Sequence, residues 1–185
     1  VNFKYYNGKA GGSNLKTIIE NYSNDEIFIE ENKIINYIKQ ICLGLKEIHE
    51  KNIIHRDIKP ENIFVNEESN KIKIGDFGIS KKTKTNKIQC HTNILATYNY
   101  LAPELKKGVG EKYYNNKIDI YAFGCIIYEL FTLRNYNDDV RDNEVTQINE
   151  KFYDKKWQKL INLLVEENYY DRPDIEKVYE MLNSK

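Results

Sequence analysis

The feature that most constrains the fold is an apolar run over residues 118–133, whose only charged side chains belong to Asp119 and Glu129. A helix that is apolar almost all round is stable only when other elements cover it on every side. The run is too short, and carries too much charge, to span a bilayer. We therefore predict a helix buried at the centre of a globular domain.

Composition narrows the classes of protein that fit such a core. The chain has 185 residues, enough for one domain, and its acidic and basic residues balance at 28 each. No net charge draws it to nucleic acid or to an anionic membrane, so we expect neither as a partner. The cysteines Cys42, Cys90 and Cys125 are widely spaced and match no metal-binding pattern. They favour a reducing compartment, which predicts an intracellular, cytoplasmic location.

A second helix is predicted over residues 30–51, because apolar side chains recur there at steps of three and four. Shorter helices are predicted over residues 14–22, 155–166 and 174–182. These segments, with the central run, make the expected fold mainly α.

The predicted β structure is small. Residues 63–65 and 72–74 are β-type runs joined by a polar turn, and they predict a hairpin. Residues 81–93 show little periodicity and predict a mobile loop, and residues 134–154 are polar and predict at most a reduced helical element. The glycine-rich residues 8–13 match no phosphate-binding loop and predict a flexible connection.

Three short motifs lie in the loops of this layout. They read HRDIKPEN at residues 55–62, DFG at residues 76–78 and APE at residues 102–104. Each motif alone is weak evidence, but their order and spacing together resemble the eukaryotic protein kinases. The resemblance extends from about Leu15 to the end of the chain.

The residue types of these motifs suit phosphoryl transfer, which depends on positioning and charge neutralisation. Asp57 would accept the proton of an acceptor hydroxyl, and Lys59, two residues on, would face the same way and meet the γ-phosphate of ATP. Asn62 and Asp76 offer hard oxygen ligands for Mg²⁺ that bridges the phosphates. Gly78 would give the backbone freedom to turn the Asp76 ligand in or out.

The resemblance adds roles that the residue types alone do not establish. Phe64 would form the floor under adenine, although a core aromatic is an equally good interpretation without the family. Thr97 would touch the catalytic aspartate and lysine. Lys59 and Thr97 together favour serine and threonine, rather than tyrosine, as the acceptors on protein substrates.

The resemblance also implies structural roles. His55 and Phe77 would belong to a regulatory hydrophobic stack, and Asp119 would hold the backbone of the HRD motif. Glu104 and Arg172 would form a buried ion pair that locks the segment after APE to the C-terminal helices.

Arginine is rare in this chain, with four residues against 24 lysines. An arginine beside the catalytic aspartate therefore suggests that the planar guanidinium, which lysine lacks, is needed at this position. We predict that Arg56 binds a phosphate carried by the loop of residues 80–98. Thr83, Thr85 and Thr92 are the candidate acceptors, with Thr92 the first choice, modified by an upstream kinase or by autophosphorylation.

A kinase also has an N-terminal β lobe with a glycine-rich loop, which about 14 residues before Leu15 are too few to form. We therefore expect a partial kinase domain, with a hinge at about residues 1–14, the C-terminal lobe at 15–185 and the N-terminal β lobe absent. The chain alone should then be inactive. The alternative function is a catalytically inert kinase-like fragment, or a binding or scaffold module. Intact Asp57, Lys59, Asn62 and Asp76 favour the enzyme.

Overall fold

The computed structural model describes residues 13–83, 88–89, 98–106, 113–142 and 146–184. It confirms a mainly helical fold with a small β element. The helices of the described residues are α1 (Leu15–Asn24), α2 (Glu31–Glu50), α3 (Pro103–Lys106), α4 (Lys117–Thr132), α5 (Tyr136–Asp142), α6 (Lys156–Leu164) and α7 (Ile175–Asn183).

Helix α4 is the predicted central helix, and every side chain from residue 118 to residue 131 is buried. It packs against α2, α5 and α6. Gly124 permits the contact with α6, since a Cβ at this position would lie 2.8 Å from the Cβ of Leu164. Neither α4 nor any other helix in the described part of the chain is long and apolar enough to cross a membrane.

Helix α2 buries the apolar stripe that predicted it and packs against α4 and α7. Lys46 on α2 reaches Glu176 on α7 at 2.9 Å. Helix α1 begins after Asn14, whose side-chain oxygen accepts the backbone N–H of Thr17 at 2.9 Å. Both helices therefore start and end close to where periodicity and capping predict.

The strands are short: β1 (Ser13–Asn14), β2 (Ile53–Ile54), β3 (Ile63–Asn66), β4 (Lys71–Ile74), β5 (Lys81–Lys82), β6 (Ile88–Gln89) and β7 (Tyr113–Tyr114). Strands β3 and β4 form the predicted antiparallel hairpin, and β1 pairs with the other edge of β3. Ile63 and Val65 are buried, while Phe64 lies half-buried on the opposite face of the strand.

Residues 81–93 were predicted to be a mobile loop, and this was wrong for two short stretches, because β5 pairs with β2 and β6 pairs with β7. Two-residue strands are too short to produce a periodic signal. Residues 134–154, which were expected to hold at most a reduced helical element, contain the seven-residue helix α5. It buries Asn137 and Asp139 in place of an apolar stripe, so its sequence lacks helical periodicity.

Candidate active site

Asp119 of α4 holds the loop that follows β2 through hydrogen bonds to its backbone. One carboxylate oxygen accepts the backbone N–H of His55 and the other accepts that of Arg56, each at 2.9 Å. His49 on α2 adds a third contact, because its Nε2 donates to Asp119 at 2.9 Å. Arg56 has a φ of 72°, a left-handed conformation that non-glycine residues rarely adopt. The two backbone N–H groups that donate to Asp119 stabilise this conformation.

Asp119 stays ionised in spite of its burial. Burial alone would raise the pKa of Asp119, but the hydrogen bond from His49, the electrostatic interactions with the His49 and His55 side chains, and the His55 backbone N–H outweigh it. The net result is a pKa below the ordinary aspartate value. A charged carboxylate therefore anchors the loop in the protein interior.

The His55 ring connects this loop to the DFG segment. Its Nε2 lies 2.9 Å from the carbonyl oxygen of Gly75, which only accepts, so Nε2 carries the proton. The ring's Nδ1 then accepts the backbone N–H of Asp57 at 3.3 Å. The His55 and Phe77 rings pack edge to face with centroids 4.8 Å apart. One side chain thus sets the distance between the two loops.

Asp57, Lys59 and Asn62 are brought together at the end of this loop. The Asp57 carboxylate lies 2.9 Å from the Lys59 ammonium and accepts from Asn62 Nδ2 at 3.0 Å. The same Nδ2 also donates to the Asp57 carbonyl at 2.8 Å. A single 3₁₀ turn over Pro60–Asn62 folds the chain back and makes these contacts possible. The carboxylate is 11% exposed, so a substrate group can reach it.

Asn62 and Asp76 are linked through the backbone, because the Gly75 N–H donates to the Asn62 carbonyl at 2.9 Å. Asp76 is exposed, and its Oδ1 accepts the Gly78 N–H at 3.2 Å. The left-handed conformation in this segment belongs to Asp76, with a φ of 57°. Gly75 allows a close approach to Phe64, since a Cβ there would meet the ring at 2.6 Å.

The donor set fits Mg²⁺ bound together with phosphates. The two hydrogen bonds of the Asn62 side chain use its Nδ2, which leaves the amide oxygen as a ligand, and Asp76 offers a carboxylate. Among the described residues, no group of three or more His, Cys, Asp or Glu forms a metal-binding cluster. A cation here would complete its shell with phosphate and water oxygens, as Mg²⁺ does in nucleotide sites.

The APE motif is fixed by a buried ion pair. Arg172 donates through its two terminal nitrogens to the two carboxylate oxygens of Glu104, at 2.8 Å each. Its Nε donates to the Glu166 carbonyl at 2.7 Å, and the guanidinium lies 4.9 Å from the Tyr121 ring centre. The start of α3 is therefore attached to the loop that precedes α7.

A second buried charge holds the segment Tyr98–Tyr100, which forms a 3₁₀ turn just before APE. Tyr100 donates to Glu129 at 2.6 Å, and the Lys16 ammonium on α1 lies 3.0 Å from the other Glu129 oxygen. Burial raises the pKa of Glu129, although both partners act to lower it. Tyr100 and Leu101 also line a small recess together with Asp57 and Ile58.

The predicted regulatory residues are described only in part. The Arg56 Nη1 donates to the Tyr114 hydroxyl at 3.1 Å, while its buried Nε has no hydrogen-bond partner among the described residues. Thr83 follows β5, and its backbone N–H donates to the Asn52 carbonyl at 2.9 Å. Thr85, Thr92 and Thr97 lie outside the described residues.

Sequence reasoning missed three side chains that position the site: His49, Lys16 and Glu129. A signal existed for Glu129, which is one of two charged residues in the apolar run, and for His49, which lies on the buried face of α2. Neither signal identified the partner, because Lys16 and Glu129 are 113 residues apart.

A helical lobe that gathers the HRD, DFG and APE motifs around one partly buried, accessible carboxylate is the arrangement of a protein kinase C-terminal lobe. The family model for the protein kinase domain matches residues 5–182, and the chain belongs to that family. The resemblance drawn from the motifs is thereby confirmed.

Three relatives illustrate the similarity. The chain is 33% identical to "Serine/threonine-protein kinase Nek1" of Mus musculus over 159 residues, which cover 82% of this chain and 13% of that protein. It is 34% identical to "Serine/threonine-protein kinase Nek5" of Homo sapiens over 163 residues, or 82% of this chain and 22% of that protein. It is 36% identical to "Serine/threonine-protein kinase nekl-2" of Caenorhabditis elegans over 129 residues, which cover 67% of this chain and 35% of that protein. The matched residues thus cover about a third or less of each relative's length.

Proposed function

We propose that the protein containing this chain transfers the γ-phosphoryl group of ATP to serine and threonine hydroxyls of proteins. The observation that carries the proposal is the Asp57 carboxylate, which is accessible to solvent and held 2.9 Å from Lys59 and 3.0 Å from Asn62. The three relatives described above are all named serine/threonine-protein kinases, which supports this acceptor class.

In this proposal Asp57 orients the acceptor hydroxyl and takes its proton. The Lys59 ammonium, already beside that carboxylate, neutralises charge on the phosphoryl group as it is transferred. Asn62 and Asp76 would hold Mg²⁺, which supplies charge neutralisation on the ATP phosphates when it is bound. Phe64 would lie under the adenine, and Thr97 would contact the reacting groups from the peptide side.

The proposed domain organisation places the hinge at about residues 1–14 and the C-terminal lobe at residues 15–185. An ATP site formed between two lobes should bind nucleotide poorly when one lobe is missing. We therefore expect no measurable phosphotransfer from a polypeptide limited to these 185 residues, and activity when they are joined to an N-terminal lobe. The two described cysteines, Cys42 and Cys125, are free and buried, which fits a reducing cytoplasm.

The acceptor class is tested with matched peptides that differ only in carrying Ser, Thr or Tyr at the acceptor position. The two-lobed protein should phosphorylate the Ser and Thr peptides and leave the Tyr peptide nearly unlabelled. The Asp57→Asn variant serves as the blank, so that labelling by a contaminating kinase is subtracted. A preference for the Tyr peptide would contradict the proposed acceptor class.

A further inference from the structure

Asn137 of α5 is a buried amide, 6% exposed, whose two ends both have partners. Its Nδ2 donates to the backbone carbonyl of Asn99 at 2.7 Å. Its Oδ1 accepts from the Tyr121 hydroxyl at 2.8 Å and from the Lys106 ammonium at 2.7 Å. Because a carbonyl only accepts and an ammonium only donates, these partners fix which way the amide points.

Asp138, the next residue on α5, also binds Asn99. The Asp138 carboxylate accepts from the Asn99 side chain at 3.1 Å. Asn99 is therefore attached to α5 through both its main chain and its side chain. Lys106 contributes further, since its ammonium lies 5.0 Å from the ring centre of Tyr98, which is 61% exposed.

The segment held in this way adjoins the catalytic loop. Asn99 is the middle residue of the 3₁₀ turn Tyr98–Tyr100, and Tyr100 and Leu101 line the recess that Asp57 also lines. A shift of Asn99 would therefore move one wall of that recess relative to the catalytic carboxylate.

The energetics favour a positioning role for Asn137. Burying an amide is costly, and its hydrogen bonds return little net stability. Its two ends are not interchangeable, however, so it fixes the position of its partners in a way that an apolar side chain of similar size would not. None of its hydrogen bonds with described residues reaches Asp57.

We propose that Asn137, assisted by Asp138, is a positioning residue that holds residues 98–101 as the platform for the acceptor peptide. This inference rests on the proposed kinase function. Since these contacts hold residues 98–101 and none of them reaches Asp57, their loss should raise the KM for the peptide and leave kcat and the KM for ATP nearly unchanged.

Three variants separate this role from packing. Asn137→Asp keeps the volume and the acceptor for Tyr121 and Lys106. It removes the Nδ2 donor to the Asn99 carbonyl, together with the longer contact of the same Nδ2 to Cys125 Sγ at 3.7 Å. Asp138→Ala removes the second attachment at a half-exposed position, where misfolding is a small risk. Tyr121→Phe is the matched control, because it removes a hydrogen bond to the same amide and leaves Asn99 attached.

In the two-lobed protein, Asn137→Asp should raise the peptide KM roughly tenfold, the effect of losing about one hydrogen bond and opposing two oxygens. Asp138→Ala should raise it by about threefold, with kcat and the ATP KM within about twofold of wild type in both. Tyr121→Phe should leave the peptide KM unchanged. Amide hydrogen exchange at residues 98–101 should accelerate in Asn137→Asp and not in Tyr121→Phe.

An unchanged peptide KM in both Asn137→Asp and Asp138→Ala would overturn the inference. The inference would also be overturned if these variants changed kcat, the KM for ATP and thermal stability as much as they changed the KM for the peptide. That result would indicate a purely structural role. If the wild-type protein phosphorylates no peptide, the proposed function fails instead, and hydrogen exchange alone then decides whether Asn137 holds the segment.

Discussion

Glu104 and Arg172 face each other through two parallel hydrogen bonds of 2.8 Å, although 68 residues separate them in the chain. The side chain of Arg172 is completely buried and that of Glu104 is 4% exposed. The guanidinium's remaining N–H groups donate to backbone carbonyls, among them that of Glu166. The pair is therefore fully satisfied, and it attaches the APE motif to the C-terminal helices.

Breaking this pair from one side should be strongly destabilising. Glu104→Ala leaves a buried guanidinium without its counter-ion, and we expect the free energy of unfolding to fall by about 3–5 kcal/mol. Arg172→Lys should also destabilise, because an ammonium cannot form the bidentate pair. Urea unfolding at neutral pH measures both. Lys177→Ala, which removes an exposed partner of Glu180, is the control and should cost less than about 1 kcal/mol. Equal losses in Glu104→Ala and Lys177→Ala would show that the pair is not important for stability.

Asp119 should make the protein sensitive to acid. Its pKa in the folded state lies below the ordinary value of 3.8, so the unfolded chain binds the proton more tightly. The stability that Asp119 contributes is complete above pH 3.8 and is lost as the pH falls through the folded-state pKa. Asp119→Asn should therefore lower the free energy of unfolding at neutral pH. It should also make that free energy fall less steeply as the pH is lowered. Parallel curves of unfolding free energy against pH for wild type and variant would contradict this account.

Much of the fold follows from local patterns in the sequence. The apolar run predicted α4 because no other arrangement buries so many apolar side chains, and the stripe from Ile34 to Ile48 predicted α2. The HRD and DFG motifs predicted which side chains the loops would present, and the structure places Asp57, Lys59 and Asn62 in mutual contact. Local spacing is enough there, because these residues lie on one short loop.

The parts that could not be predicted depend on polar partners distant in the sequence. Asn137 is buried because it meets Asn99, 38 residues away, and nothing in its neighbours' periodicity indicates burial. Lys16 meets Glu129 across 113 residues. An apolar side chain is stable in a core without specific partners, whereas a polar side chain is buried only where specific hydrogen-bond partners satisfy it. Periodicity in the sequence does not identify those partners.

Phosphorylation of the loop at residues 80–98 should activate the protein through Arg56. Its guanidinium meets the Tyr114 hydroxyl at 3.1 Å and keeps a buried Nε without a partner among the described residues, so it retains capacity for a bidentate anion. We expect phosphatase treatment to reduce the activity of the two-lobed protein, and Arg56→Lys or Thr92→Ala to abolish that dependence.

Tyr114→Phe is the matched control for Arg56, since it removes the hydroxyl partner and leaves the guanidinium in place. It should retain activation by phosphate. Full activity in phosphate-free protein, unchanged by Arg56→Lys, would contradict this regulation by phosphate. If Thr92→Ala is still activated by phosphorylation, the acceptor is Thr83 or Thr85 instead.

The division of roles between Asp57 and Asp76 tests the central claim most directly. In the two-lobed protein, Mg²⁺–ATP binding and single-turnover phosphotransfer are measured for wild type, Asp57→Asn and Asp76→Asn. Asp57→Asn should bind Mg²⁺–ATP within about threefold of wild type and lose turnover by a factor of about 10²–10⁴, because only the proton acceptor is removed. Asp76→Asn should weaken Mg²⁺–ATP binding, because a charged metal ligand is lost. An Asp57→Asn variant that loses nucleotide binding and keeps its turnover would contradict the assignment of Asp57 as the catalytic carboxylate.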